Sequence, residues 1–164
     1  MRILGIDPGV AIVGYGVIEY NKNTFKVVDY GKITTPAHTP LPKRLKMVYD
    51  GMTQLVKEFK PDVVSMEELF FNTNVTTAIA VGHARGVLVL ATENANVPLA
   101  EYTPLQIKQA VAGYGRADKN QVQQMVKRFL NLTEVPKPDD TADALAVAIC
   151  HAHSASLSGK LGLI

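Results

Sequence analysis

Four carboxylates stand along this 164-residue chain where regular elements begin or end. Asp7 closes the apolar run Ile3-Leu4-Gly5-Ile6, and Pro8-Gly9 turns the chain immediately afterwards. Glu67 closes a second such run, Val63-Val64-Ser65-Met66. Asp140 and Asp143 are three apart at a helix start, so both project from one face. Each has an ordinary explanation alone, since Asp7 can cap its own turn and acids favour the first turn of a helix. Together they imply more. Four carboxylates converging without cations repel one another and raise their own pKa values, a repulsion that hard divalent ions such as magnesium or manganese resolve. Two such ions can polarise a phosphodiester, generate the attacking hydroxide and stabilise the leaving oxygen. No Ser/His/Asp arrangement competes for the chemistry. His151 and His153, two apart on a helix, read as surface residues, and His38 and His83 are isolated.

The elements that must position these acids follow from periodicity. The first run is a buried strand, and 12–20 and 25–35, rich in Val, Ile, Tyr and Thr, extend it into an antiparallel three-strand meander. Gly9, Gly14 and Gly16 lie near Asp7, where they suit either a phosphate approaching the backbone or a close crossing of elements. Leu41, Leu45, Val48, Met52, Leu55 and Phe59 recur at helical spacing until Lys60-Pro61. A short strand over 62–68 leads through Leu69-Phe70-Phe71 and Asn72-Thr73-Asn74 into a long apolar helix ending at Asn96. Gly82 and Gly86, one turn apart, admit another backbone there, either the domain's own sheet or a partner subunit. A strand over 97–102 precedes a helix opened by the capping box Thr103-Pro104-Leu105-Gln106. Gly113-Tyr114-Gly115-Arg116 breaks that helix, and Asp118 with Gln121 caps the next. A last helix starts at Asp139 or Asp140. The expected architecture is α/β: a five-stranded mixed sheet, the meander plus two parallel strands, with helices on both faces.

Composition narrows the class without choosing a partner. Charged residues are 20% and apolar residues 47%, an ordinary globular balance, and the net charge is only +2. No stretch reaches the roughly 18 apolar residues of a membrane helix, and Asp7 interrupts any apolar leader. The single cysteine, Cys150, lies in an apolar helical pattern and reads as a buried thiol, which suits a reducing cytoplasm. The domain is expected over 1–153, with 154–164 a flexible Ser/Gly-rich tail.

At this point the residues resemble a known family. Ile6-Asp7-Pro8-Gly9 with Gly14-Tyr15-Gly16, Glu67-Glu68-Leu69-Phe70-Phe71 and Ala84-Arg85-Gly86-Val87 are similar to motifs of RuvC. So are Gln106-Ile107-Lys108-Gln109, Lys119-Asn120-Gln121-Val122 and 140–146, in the same order and spacing. RuvC is the bacterial Holliday-junction resolvase, with a ribonuclease H-like fold. The resemblance implies that Asp7, Glu67, Asp140 and Asp143 are catalytic metal ligands for two magnesium ions, with manganese able to substitute. Adjacent Glu68 and Asp139 are set aside because Glu67 and Asp140 preserve the family spacings Glu-x-x-Phe and Asp-x-x-Asp-Ala-Leu. It implies that Phe70 meets unpaired bases at the junction centre and that Lys108 and Lys119 lie next to the scissile phosphate, with Arg116 counted among the DNA-binding residues.

The implied activity is paired symmetric nicking of four-way junction DNA in recombination and repair, leaving 5′-phosphate and 3′-hydroxyl ends. A cytoplasmic homodimer working beside RuvA–RuvB is implied with it. A non-catalytic junction-binding protein and a general ribonuclease H-like hybrid nuclease are the alternatives. The actin/sugar-kinase group shares the early Asp-x-Gly turn, but it needs a second phosphate loop and half-domain for which this chain has no room.

Overall fold

The computed structural model describes residues 1–68 and 75–160. Strand β1 (Arg2–Asp7) is the middle of a five-stranded sheet of order β3-β2-β1-β4-β5. It pairs antiparallel with β2 (Ile12–Asn21), which pairs antiparallel with β3 (Thr24–Thr34). On its other side it pairs parallel with β4 (Val63–Glu67), which pairs parallel with β5 (Leu99–Tyr102). The expected meander and two parallel strands are both present. β1 is apolar and buried from Ile3 to Ile6, where helices cover both its faces, whereas the edge strand β3 alternates exposed and half-buried positions.

Alternation along the strands sorts the core into two layers. Leu4, Ile6, Val17, Val64 and Met66 pack with α1 (Leu41–Phe59) and α2 (Val75–Asn94). Ile3, Ile18 and Val63 pack with α3 (Pro104–Ala112), α4 (Lys119–Phe129) and α5 (Asp139–Lys160). Helix α1 ends where Lys60 turns left-handed at φ 46° ahead of Pro61. Both expected capping boxes form, Thr103 with Gln106 and Asp118 with Gln121, and they fix where α3 and α4 begin. Cys150 is buried in α5 as its pattern requires, and burial pushes its thiol up to about 11. No described helix is long and apolar enough to cross a membrane.

Three sequence expectations change. Helix α5 runs through His153 to Lys160, so 154–160 continue the helix rather than a loose tail, and Ser154 donates its hydroxyl to the Cys150 carbonyl at 2.9 Å. His151 and His153 are not surface residues. The first shares a 2.8 Å hydrogen bond with Tyr102, and the second stacks edge-on against Phe25 and Phe129 and meets the Ala110 carbonyl at 3.0 Å. The helix is half-sunk between two walls at this end, so residues two apart both find aromatic cover. Among the described residues, a Cβ added at Gly82 or Gly86 would meet nothing within 4 Å, so the side of α2 to which they point is open and not packed on the domain's own sheet.

Candidate active site

Position along a strand decides which face a side chain takes. Ile3, Gly5 and Asp7 of β1 face α5, as do Val63 and Glu67 of β4, because they alternate with Leu4, Ile6, Val64 and Met66 on the opposite layer. The parallel register matches Ile6 with Met66, so the next residues, Asp7 and Glu67, end adjacent strands side by side. Helix α5 brings the other two acids. Gly14 lies opposite Asp7 in the β1–β2 ladder, and a Cβ at Gly14 would overlap the backbone carbonyl of Asp140. Gly5 and Gly16, also opposite one another, lie against Ala144 and Leu145 in the same way. These glycines form the seat on which α5 rests, and close crossing is what they serve here. Period-two spacing from Asp7 is the signal that assigns them to that face.

The electrostatics agree with convergence. Burial, then Asp143, Asp140 and Glu67 in turn, raise the Asp7 carboxyl from 3.8 to about 8, with Lys119 opposing. Burial also raises Glu67, with Asp143 adding to it and Lys108 and Lys119 working against it. Burial raises Asp143 as well, although it accepts a hydrogen bond from Lys119. For Lys119 burial is the largest influence and disfavours the charge, but the bonds and charges of Asp143 and Asp139 together outweigh it and the ammonium is held above its ordinary range. Lys119 Nζ is 3.0 Å from Asp143 Oδ2 and 3.5 Å from Asp139 Oδ2. Sequence reading placed Lys119 near the acids but did not anticipate these pairs.

Asp139 is the outward-facing neighbour, drawn to Lys137 at 2.9 Å, while Asp140 bears on Asp7; the two adjacent aspartates are thereby separated in role. Glu68, next to Glu67, donates its backbone N–H to the Tyr102 carbonyl at 2.8 Å and extends the β4–β5 edge. Lys108 and Lys119 line a cleft of about 200 Å³ together with Glu67 and Asp143. Arg116 does not line it. That side chain borders a separate cavity of about 830 Å³ with Tyr102, Leu105 and His153. Phe70 lies outside the described residues.

The donor set suits hard divalent cations: clustered carboxylate oxygens, pushed toward protonation by burial and mutual repulsion, with one lysine bonded to them. The acids are not drawn tight around one point, since no group of three His, Cys, Asp or Glu side chains is poised to hold an ion among the described residues.

A family model described as crossover junction endodeoxyribonuclease RuvC matches residues 3–151. The chain belongs to the RuvC family. A RuvC from Alkaliphilus oremlandii is 64% identical over 158 residues, covering 96% of each chain. One from Clostridioides difficile is 63% identical over 161 residues, 98% of this chain and 95% of that one. Among solved structures, Thermus thermophilus RuvC in complex with a Holliday junction substrate superposes with a TM-score of 0.91 at 35% identity, covering 96% of both chains. A yeast mitochondrial Holliday junction resolvase, at 16% identity and a TM-score of 0.71 over 99% of this chain and 84% of its own, shares the fold. In this fold the four acids lie at the ends of β1 and β4 and at the start of α5.

Proposed function

We propose that this protein is a DNA endonuclease that resolves four-way junctions by paired nicks, with Asp7, Glu67, Asp140 and Asp143 as its catalytic acids. The observation that carries the reading is the meeting of two strand-end carboxylates with two helix carboxylates on the α5 face, in a chain of the RuvC family. The four acids would hold a pair of magnesium ions, or manganese in their place. Bound there, the metal supplies Lewis-acid polarisation of the scissile phosphodiester. Everything else falls to side chains of this chain. Asp7 and Glu67, carried on the rigid sheet, fix the acidic edge, while Asp140 and Asp143 present oxygens from the first turns of α5. Lys108 and Lys119, which line one cleft with Glu67 and Asp143, bind the DNA backbone next to the scissile phosphate. Phe70 stacks on a base exposed at the junction centre.

Two nicks need two sites, and a two-fold homodimer offers two identical ones to a pseudo-symmetric substrate. The exposed stripe on α2 supports that arrangement, with Ile79 57% and Leu90 53% exposed and Gly82 and Gly86 open between them. Cooperation with RuvA–RuvB in the cytoplasm follows from the family alone. The test incubates the protein with a labelled four-way junction, a plain duplex and an RNA–DNA hybrid, with magnesium and with chelator. Symmetric, magnesium-dependent nicks confined to the junction are expected. Equal cleavage of the hybrid returns the protein to a general nuclease, and binding without cleavage makes it a junction-binding protein.

A further inference from the structure

We propose that Lys119 is a resident counter-cation of the acidic cluster, which a divalent ion displaces from Asp143, and that this exchange frees the lysine for substrate phosphate. The inference rests on the metal reading of the four acids. Lys119 is the first residue of α4, and the Asp118 capping box anchors its backbone while its side chain reaches across to α5. Its shorter contact is to Asp143, at 3.0 Å; the longer one, 3.5 Å, is to Asp139, which Lys137 already engages at 2.9 Å. The pairing with Asp143 is therefore the one that holds it.

An ammonium only donates, and its bond takes up one of the lone-pair sites on Asp143 Oδ2, which places a positive charge beside the oxygens a metal ion would use. Two cations on one carboxylate also repel, so Asp143 serves one or the other at full strength. No three of the acids are grouped around a single ion position among the described residues, so a bound metal would draw them closer. Release of Asp143 from Lys119 is the regrouping that the ion pairs point to. The lysine suits an exchange because its side chain is 55% exposed on a flexible four-carbon stem and can swing outward without opening the core. Once released, it lies at the mouth of the cleft it shares with Lys108 and Glu67. Metal loading and the arming of a phosphate-binding cation then become one event, with the metal first. Lys108 offers a built-in comparison, for it lines the same cleft with no ion pair among the described residues.

The test uses the whole DNA-free protein and manganese(II) alone. Calorimetry measures binding, and mass spectrometry follows acetylation of each lysine by an amine-reactive ester at zero and saturating manganese. Labelling of Lys119 is expected to rise about fivefold, the size of a partly exposed ion pair, while Lys108 changes far less. Lys119→Met should bind manganese about fivefold more tightly than wild type, and Lys108→Met should gain less. Unchanged labelling of Lys119 at saturation, or equal gains in the two variants, overturns the exchange and leaves the metal site standing. No manganese binding by the wild type overturns both. The labelling arm needs only wild-type protein, so it decides the matter even if Lys119→Met folds poorly.

Discussion

The backbone carbonyl of Asp140 rests directly over Gly14, the residue opposite Asp7 in the β1–β2 ladder, and no side chain fits between them. Helix and strand acids are neighbours because a glycine separates them. Gly14→Ala should lift the start of α5 from the sheet, costing about 1–3 kcal/mol of stability and lowering junction cleavage at least tenfold. Thermal melts and nicking assays check it; a variant matching wild type in both would show that α5 can lie farther from the sheet without consequence.

Asp7→Asn should separate chemistry from binding. Nicking is expected to disappear, while junction affinity is retained or rises, because phosphate contacts dominate affinity and a negative charge beside the backbone has gone. Cleavage at near the wild-type rate would remove Asp7 from the metal site.

The raised Asp7 pKa also has a thermodynamic sign. Its carboxyl titrates at about 8 when folded and near 3.8 when free, so between those values the folded state retains a proton that the unfolded state has lost. Metal-free protein should therefore lose stability as pH rises from about 4 to 8, with burial of Asp7 as the leading cause. Asp7→Asn should flatten that decline, and magnesium should restore the melting temperature at the alkaline end. Melting temperatures measured in chelator across this range decide it, and a flat wild-type profile would contradict the buried-acid picture.

Lys108→Ala and Lys119→Ala should each slow nicking. If each removes one phosphate contact, the salt dependence of junction binding should flatten by about one unit per lysine. Filter binding across a salt series reads the slope, and unchanged slope and rate would return both to the ordinary surface.

Phe70→Ala should lower cleavage of a fully paired junction about tenfold, the lower part of the range for one base–aromatic stack. A junction whose centre is already unpaired should lose less, since less opening remains to be driven. Comparing the two substrates at unchanged melting temperature checks this, and a melted variant would make Phe70 a core residue.

The sequence by itself determined the element types and their ends. The unbroken apolar run of β1, the two capping boxes and the Lys60-Pro61 stop are local signals, decided within a few residues by backbone sterics and hydrogen bonding. The same local logic put Asp7 and Glu67 at strand ends and Asp140 and Asp143 on one helix face, and the order of the motifs carried the family. Tertiary structure decided what each of these meets. Gly5, Gly14 and Gly16 became the seat of α5 only once strand register and helix docking were fixed. His151 and His153 moved from surface to aromatic cover for the same reason, and Arg116 turned toward a cavity apart from Lys108 and Lys119. Lys119 found Asp143 across two helices that no spacing rule relates. Local propensity acts over a turn or a pleat, whereas these contacts join residues brought together by burial of two apolar layers, and only the packed sheet sets their distances.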